Sequence, residues 1–273
     1  MSGVAITRLP PLLVALLLVV PEAVAQTGAD SRPGAKAAAG GMQHNRRGPK
    51  RFMLANAEGA AARMWKPDLT SVALKIEQGS VTLPPTGVDN YHALVVERDW
   101  GDSRETLIRY QYMHGKPSGH STRELTAAEK AAFEIVPSPV PREHQHYRSD
   151  QRWAFLLRLN GAAAVGVPVV LETGHGTFVE GVSDGDGMVH LRIPDDFPDP
   201  IEGERDRRSA EFTVSAETVA NGITYQTALS AEYRLNQAHW QSFGMGFAVM
   251  GVGMLAGIVV GRVGAGETGG GRK

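Results

Sequence analysis

Apolar and polar residues alternate with a period of two through much of this chain beyond residue 68. In the stretch 105–113, Leu107, Arg109, Gln111 and Met113 oppose Ile108, Tyr110 and Tyr112. Side chains of an extended strand point to opposite faces in turn, so this period predicts strands rather than helices. Further strands are expected at 71–76, 79–83, 91–97, 133–136, 152–159, 165–172, 176–182, 188–193, 208–216 and 223–235. Turn residues separate them: Pro84-Pro85-Thr86-Gly87, Lys116-Pro117-Ser118-Gly119, Asn160-Gly161 and Asn221-Gly222, the last reading as a hairpin. Pro168 lies inside its strand and predicts a place near a sheet edge. One soluble helix is expected, 126–132, with Thr126 as N-cap and Glu129 three residues on. Short strands at this spacing predict a mainly β protein with one or two β-sandwich lobes of immunoglobulin-like (Ig-like) or transthyretin-like type, the two meeting near residues 137–147.

Two apolar runs break the alternation. Residues 240–261 contain no charge and are followed by Arg262, long enough to cross the hydrocarbon core as a helix, with Trp240 at one border. Residues 9–20 are apolar but too short to span. With Arg8 before them and Ala23-Val24-Ala25 after them they read as a signal peptide cut before Gln26. The expected organisation is a signal peptide (1–25), a flexible Ala/Gly/Arg-rich lead-in (26–65), an N-terminal β lobe (66–140), an Ig-like sandwich (141–236), a transmembrane helix (240–261) and a cytoplasmic tail (262–273). Arg262, Arg272 and Lys273 against Glu267 place that tail inside, with the bulk of the chain in the periplasm or outside the cell. Gly253, Gly257 and Gly261 line one face of the span, where another helix could approach closely.

Composition narrows the chemistry. The net charge of −1 gives no electrostatic reason to bind nucleic acid. The absence of cysteine leaves stability to core packing and excludes thiolate metal sites and thiol catalysis. The chain carries no H-E-x-x-H, and no Gly-rich phosphate loop follows a predicted strand, so a non-enzyme is expected. Ser183-Asp184-Gly185-Asp186-Gly187 lacks the later carboxylates of a calcium loop and reads as a hairpin turn, and the acidic stretch from Asp195 to Glu204 reads as a solvated loop. The strongest candidate ligands are His144 and His146, which share one side of an extended segment; His114 and His120, flanking a turn, rank next, with Met113 as a further donor.

Leu157-Arg158-Leu159-Asn160-Gly161, the run from Gly166 to Leu171, Ser183-Asp184-Gly185-Asp186-Gly187 and Leu191-Arg192-Ile193-Pro194, preceded by Phe133-Glu134-Ile135-Val136-Pro137, resemble a family of periplasmic domains associated with nickel and cobalt uptake. The resemblance covers about residues 68–235 and implies an exported sandwich anchored beside a metal transporter, with nickel or cobalt as cargo. Two functions stay open: a membrane-tethered module that holds or delivers a transition metal, and a cell-envelope structural or protein-interaction domain with no metal.

Overall fold

The computed structural model describes residues 48–142, 145–201 and 203–240, together with the backbone of Val19–Pro21. Thirteen strands and one helix carry the architecture: β1 (Lys50–Leu54), β2 (Ala61–Trp65), β3 (Ser71–Leu74), β4 (Ser80–Leu83), β5 (Val88–Asp99), β6 (Ser103–Met113), α1 (Thr122–Ala127), β7 (Phe133–Pro137), β8 (Arg152–Leu159), β9 (Pro168–Thr173), β10 (Phe178–Val182), β11 (Met188–Arg192), β12 (Ser209–Ala220) and β13 (Ile223–Arg234). The protein is mainly β and built from sandwiched sheets.

One large sheet runs through the molecule in the order β10-β9-β12-β13-β6-β5-β2-β3. Its two halves join where Thr224–Leu229 of β13 pairs in parallel with Ser103–Ile108 of β6, so both lobes share a single ladder. On one face, β1 and β4 form a small sheet with Ile76–Glu77 and with the backbone of Val19–Pro21, which lies inside the predicted signal peptide. The other face is covered by β8, flanked by β7 and β11. The sequential order β7-β8-β11 opposite β10-β9-β12-β13 is that of an Ig-like sandwich whose chain crosses between sheets.

The period of two assigns residues to these cores. Leu94, Val96 and Leu107 pack with Phe52, Met64, Val81 and Leu83 in the first lobe. Their neighbours Val95 and Ile108 face the opposite way, into the core of Phe133, Phe155, Leu157, Phe212 and Tyr233. Adjacent residues of one strand thus serve different lobes, as the pleat requires.

Several expectations need correction. The lead-in does not extend to residue 65, because β1 and β2 lie within it and bury Phe52, Leu54, Ala62 and Met64. The second lobe begins at Phe133 and not at residue 141, because β7 pairs with β8 along its whole length. Helix α1 starts at cap Ser121, with Glu124 returning the bond to complete a capping box. Residues 121–129 offer two S/T-x-x-E patterns, and the one that seats fully buried Leu125 against the core is used. Pro168 is in an interior strand, but it opens that strand and pairs only with Val182, while the ladder to β12 begins at Val169.

The turns follow the sequence closely. Asn160-Gly161 has φ of 49° and 76°, and Asn221-Gly222 has 51° and 76°, the two positive values that a type I′ hairpin requires. In the Asp-Gly loop the Asp184 carboxylate accepts from the backbone N–H of Asp186 and of Met188, so it closes a turn. Gly187 is needed there for space as well as for φ of 74°: a Cβ would lie 2.6 Å from the Leu157 carbonyl.

Candidate functional site

Two adjoining concavities arise where the shared sheet splits. Beyond Ile108 the register between β6 and β13 ends, while β6 continues beside β5 to Met113 and β13 beside β12 to Arg234. Tyr147–Arg148 then takes the far end of β13, at Tyr233 and Arg234. The fork encloses about 230 Å³, with Arg109, Gln111, Ser230, Glu232 and His146 among its lining residues. It shares Tyr91, Tyr112, Pro137, Val140 and Pro141 with a wider cleft of about 870 Å³. That cleft is bounded by residues 117–126 on one side and 137–142 on the other. Together they form one continuous depression on a rigid sheet.

Its tyrosines are fixed. Tyr91 and Tyr112 meet edge to face, with ring centroids 5.2 Å apart, and the Tyr112 hydroxyl donates to Asp89 Oδ2 at 2.7 Å. Burial pushes the Tyr91 hydroxyl pKa up to about 12, so it stays protonated as a donor. Beside them Asn90 has φ of 150°, a strained value for a residue with a side chain. Its amide explains why this conformation persists. Nδ2 donates to Ser118 Oγ at 3.1 Å and to the His120 carbonyl at 2.8 Å, and Oδ1 accepts from Tyr91 N–H at 2.8 Å and Thr122 Oγ1 at 2.7 Å. All four hydrogen-bonding positions of the amide are used, which ties the wall 117–122 to the floor. Gly115 allows the approach behind that wall, since a Cβ there would lie 2.1 Å from the Gly87 carbonyl oxygen.

The wall is braced from beneath by a buried ionic cluster. Arg158 Nε donates to Glu134 Oε1 at 2.7 Å, and Lys130 Nζ lies 3.5 Å from Glu134 Oε2. The Arg158 guanidinium also donates to the carbonyls of Thr126, Ala127 and Ala128, and Lys130 Nζ to that of Leu125. Two cations therefore satisfy the orphan carbonyls at the end of α1, where the helix dipole favours positive charge. Burial brings the Lys130 pKa down to about 8 against the pull of Glu134.

The predicted ligands fall around this depression without forming one set. His144 lies outside the described residues. His146 lines the fork and His120 the wider cleft. His120 Nδ1 is 3.2 Å from Glu124 Oε2, and this hydrogen bond lowers the Glu124 pKa. His114 packs against Tyr112, and its Nδ1 is 3.9 Å from Asp89 Oδ1. Met113 is buried in the first-lobe core, away from any ligand role. Among the described residues no group of three or more His, Asp or Glu side chains could hold a metal ion. Sequence reasoning missed Asn90, Tyr91 and Tyr112 as site residues. Only the two tyrosines left a signal, as large aromatics at the end of an alternating strand.

The acidic stretch is a largely exposed loop whose first two carboxylates are held in place. Asp195 accepts from Ser149 Oγ at 2.6 Å and pairs with His239 Nε2 at 2.7 Å. Asp196 accepts from Thr173 Oγ1 and Tyr233 Oη, and although burial acts to raise its pKa these bonds outweigh it and lower the net value. Trp240, the last described residue, lies within 5.5 Å of the Arg148 guanidinium and 5.1 Å of that of Arg205, and its Nε1 donates to the Asp206 carbonyl. The predicted span beyond it lies outside the described residues, among which no helix is long and apolar enough to cross a membrane.

No family model and no curated protein matches the chain. Among solved structures it is similar to the Ca²⁺-stabilized adhesin that helps an Antarctic bacterium bind ice, with 14% identity, a TM-score of 0.26, and coverage of 70% of this chain and 45% of that one. It is also similar to a two-domain fibronectin type III segment of chicken tenascin, at 10% identity and TM-score 0.22, covering 69% of this chain and 93% of that one. A SusE-like surface-located polysaccharide-binding protein from Bacteroides thetaiotaomicron has 8% identity and TM-score 0.22, with 69% of this chain and 32% of that one covered. The chain spans 45% and 57% of the two ice-binding adhesin chains it matches. The strand order, not these likenesses, defines the fold.

Proposed function

We propose that this chain is an exported, membrane-anchored β-sandwich module that holds another component of the cell envelope in the depression between its lobes. The observation that carries this reading is the continuous cleft itself: about 870 Å³ opening from the fork, floored by two fixed tyrosines. Concave sites with a few placed polar groups on a rigid scaffold are the usual form of a binding site. The anchor rests on the uncharged residues 240–261 and on Arg262. A photo-crosslinking side chain placed at Arg123 in intact cells should yield a discrete adduct. The same group at Trp100, exposed on the β5–β6 hairpin at the opposite end of these strands, should yield none. Equal adducts from both positions, or none from either, would defeat the reading.

Transition-metal delivery is the second reading, supported by the placement of His114, His120 and His146 around the Tyr112 end of the same cleft. Imidazole suits nickel, cobalt, copper or zinc, and His144 and His146 lie two apart in the chain. Calorimetric titration of the purified full chain with Ni²⁺, Co²⁺ and Zn²⁺ decides it. Binding at micromolar levels that is lost on changing His144 and His146 to Ala supports the reading, and no binding at that level rejects it.

A further inference from the structure

The fork is a gap in a sheet as well as a cavity. Residues 109–111 of β6 and 230–232 of β13 line its two sides, and no described strand lies between them. Both strands are held firmly on their outer sides, β6 by β5 and β13 by β12. Arg109 Nη1 donates to Ser230 Oγ across its inner end at 3.4 Å, and beyond that bond the opening suits an incoming extended chain, the mode of recognition known as strand addition.

Charge selects among extended chains. The lining of fork and cleft includes four arginines, Arg109, Arg123, Arg142 and Arg234, against two carboxylates, Asp89 and Glu232. Asp89 is bonded by the Tyr112 hydroxyl, Arg234 lies 3.4 Å from Glu232, and Arg109 is held by Glu211. Arg123 and Arg142, on opposite walls, are exposed and carry no carboxylate partner among the described residues. The depression is therefore locally cationic on a chain whose net charge is −1.

Position completes the argument. Because β6 and β13 run in parallel, the fork lies at the end where β13 leads through Gln237–Trp240 to the proposed anchor. Tyr147 lines the fork, and the next residue, Arg148, stacks on Trp240. Hydrogen bonds from Asn236 to Ser149 and between His239 and Asp195 pin this end, so the opening is held close to the point where the chain enters the bilayer.

We infer that the fork is a docking slot for an extended acidic segment of a membrane-embedded partner, lying next to the bilayer surface. This rests on the membrane-anchored reading above and adds the chemistry and location of what is bound.

The test uses the full chain in nanodiscs of neutral phosphatidylcholine, with fluorescent end-blocked peptides of alternating Glu and Thr or alternating Lys and Thr. The acidic peptide should bind about tenfold more tightly than the basic one, and the preference should reverse in the Arg123→Glu, Arg142→Glu double variant. Amide exchange at residues 109–111 and 230–232 should slow when the acidic peptide is bound. Equal binding of both peptides, no binding of either, or unchanged exchange at those amides overturns the proposal. Protection of the same amides by discs containing anionic phosphatidylglycerol, without peptide, also overturns it, because headgroups would then fill the fork. Failure of the chain to enter discs overturns the anchor reading alone, and the peptide preference measured in detergent then judges the slot by the same criterion.

Discussion

In the first lobe the shared sheet is covered by short strands that contribute Phe52, Leu54, Val81 and Leu83, and the core between them is aliphatic with one aromatic ring. In the second lobe the covering sheet brings Phe133, Phe155 and Leu157 onto Phe212, Val214 and Tyr233, and Tyr147 and Phe212 meet edge to face at 5.1 Å. The second lobe thus has the larger aromatic core and a buried ionic brace. The first has the strained Asn90 and most of the cleft floor. A stable, aromatic sandwich supports a neighbour whose backbone departs from low-energy conformations, and the depression forms along the seam. Strain at a binding wall persists when surrounding structure over-determines it.

The sharpest way to break this division is at the brace. Replacing Glu134 with Ala leaves Lys130 and Arg158 buried without their anion and should cost about 3–5 kcal/mol, measured by urea unfolding. A cost near zero would mean the cluster is hydrated and α1 is not held by it. The next effect tests whether the lobes are one cooperative unit. Leu107→Ala faces the first core and Ile108→Ala the second, each at a loss of about 2–5 kcal/mol. Both should shift one common transition, because the two residues share β6; two separate transitions, each moved by only one variant, would show independent lobes.

A smaller effect is expected from Asn90→Ala. Its loss releases Ser118, Thr122 and the His120 carbonyl, for about 1–3 kcal/mol. Amide exchange should accelerate across residues 117–122 while β8 stays protected, and uniform acceleration would mean that Asn90 serves the whole fold and not the wall. The smallest effect is a pH dependence in the first lobe. His92 is fully buried, with Nδ1 3.1 Å from the Asn90 carbonyl and Nε2 2.9 Å from Thr86 Oγ1, and burial lowers its pKa below the ordinary 6.5. The unfolded chain therefore binds a proton that the folded chain refuses, so stability falls as pH drops through 6.5 and levels off below the folded value. Urea midpoints at pH 7.5 and 5.5 should differ in that direction, and the difference should shrink in His92→Gln.

Much of this was legible in the residues. Alternation located most strands to within a few positions, Asn160-Gly161 marked a turn and Asn221-Gly222 a hairpin, because these signals are local. The lead-in failed as a boundary since β1 and β2 are short and Ala-rich surroundings mask them; their membership depends on Leu94 and Val96 covering Phe52 and Met64 from far along the chain. The helix was displaced for a similar reason. Ser121 and Thr126 offer equivalent caps, and the choice was made by Leu125 and by Arg158 reaching the Thr126, Ala127 and Ala128 carbonyls. Among candidate site residues, His120 and His146 were chosen by type and spacing and do line the depression. Asn90 was invisible because its role depends on partners about 30 residues away.

The sequence by itself determined the strand period, the turns and the absence of thiol chemistry, all properties of a residue and its immediate neighbours. Tertiary structure alone decided that both lobes share one sheet, that Leu107 and Ile108 serve different cores, and that β6 and β13 part beyond Ile108. Pairing between strands more than a hundred residues apart is settled by which faces can be buried together, and no local pattern encodes that choice.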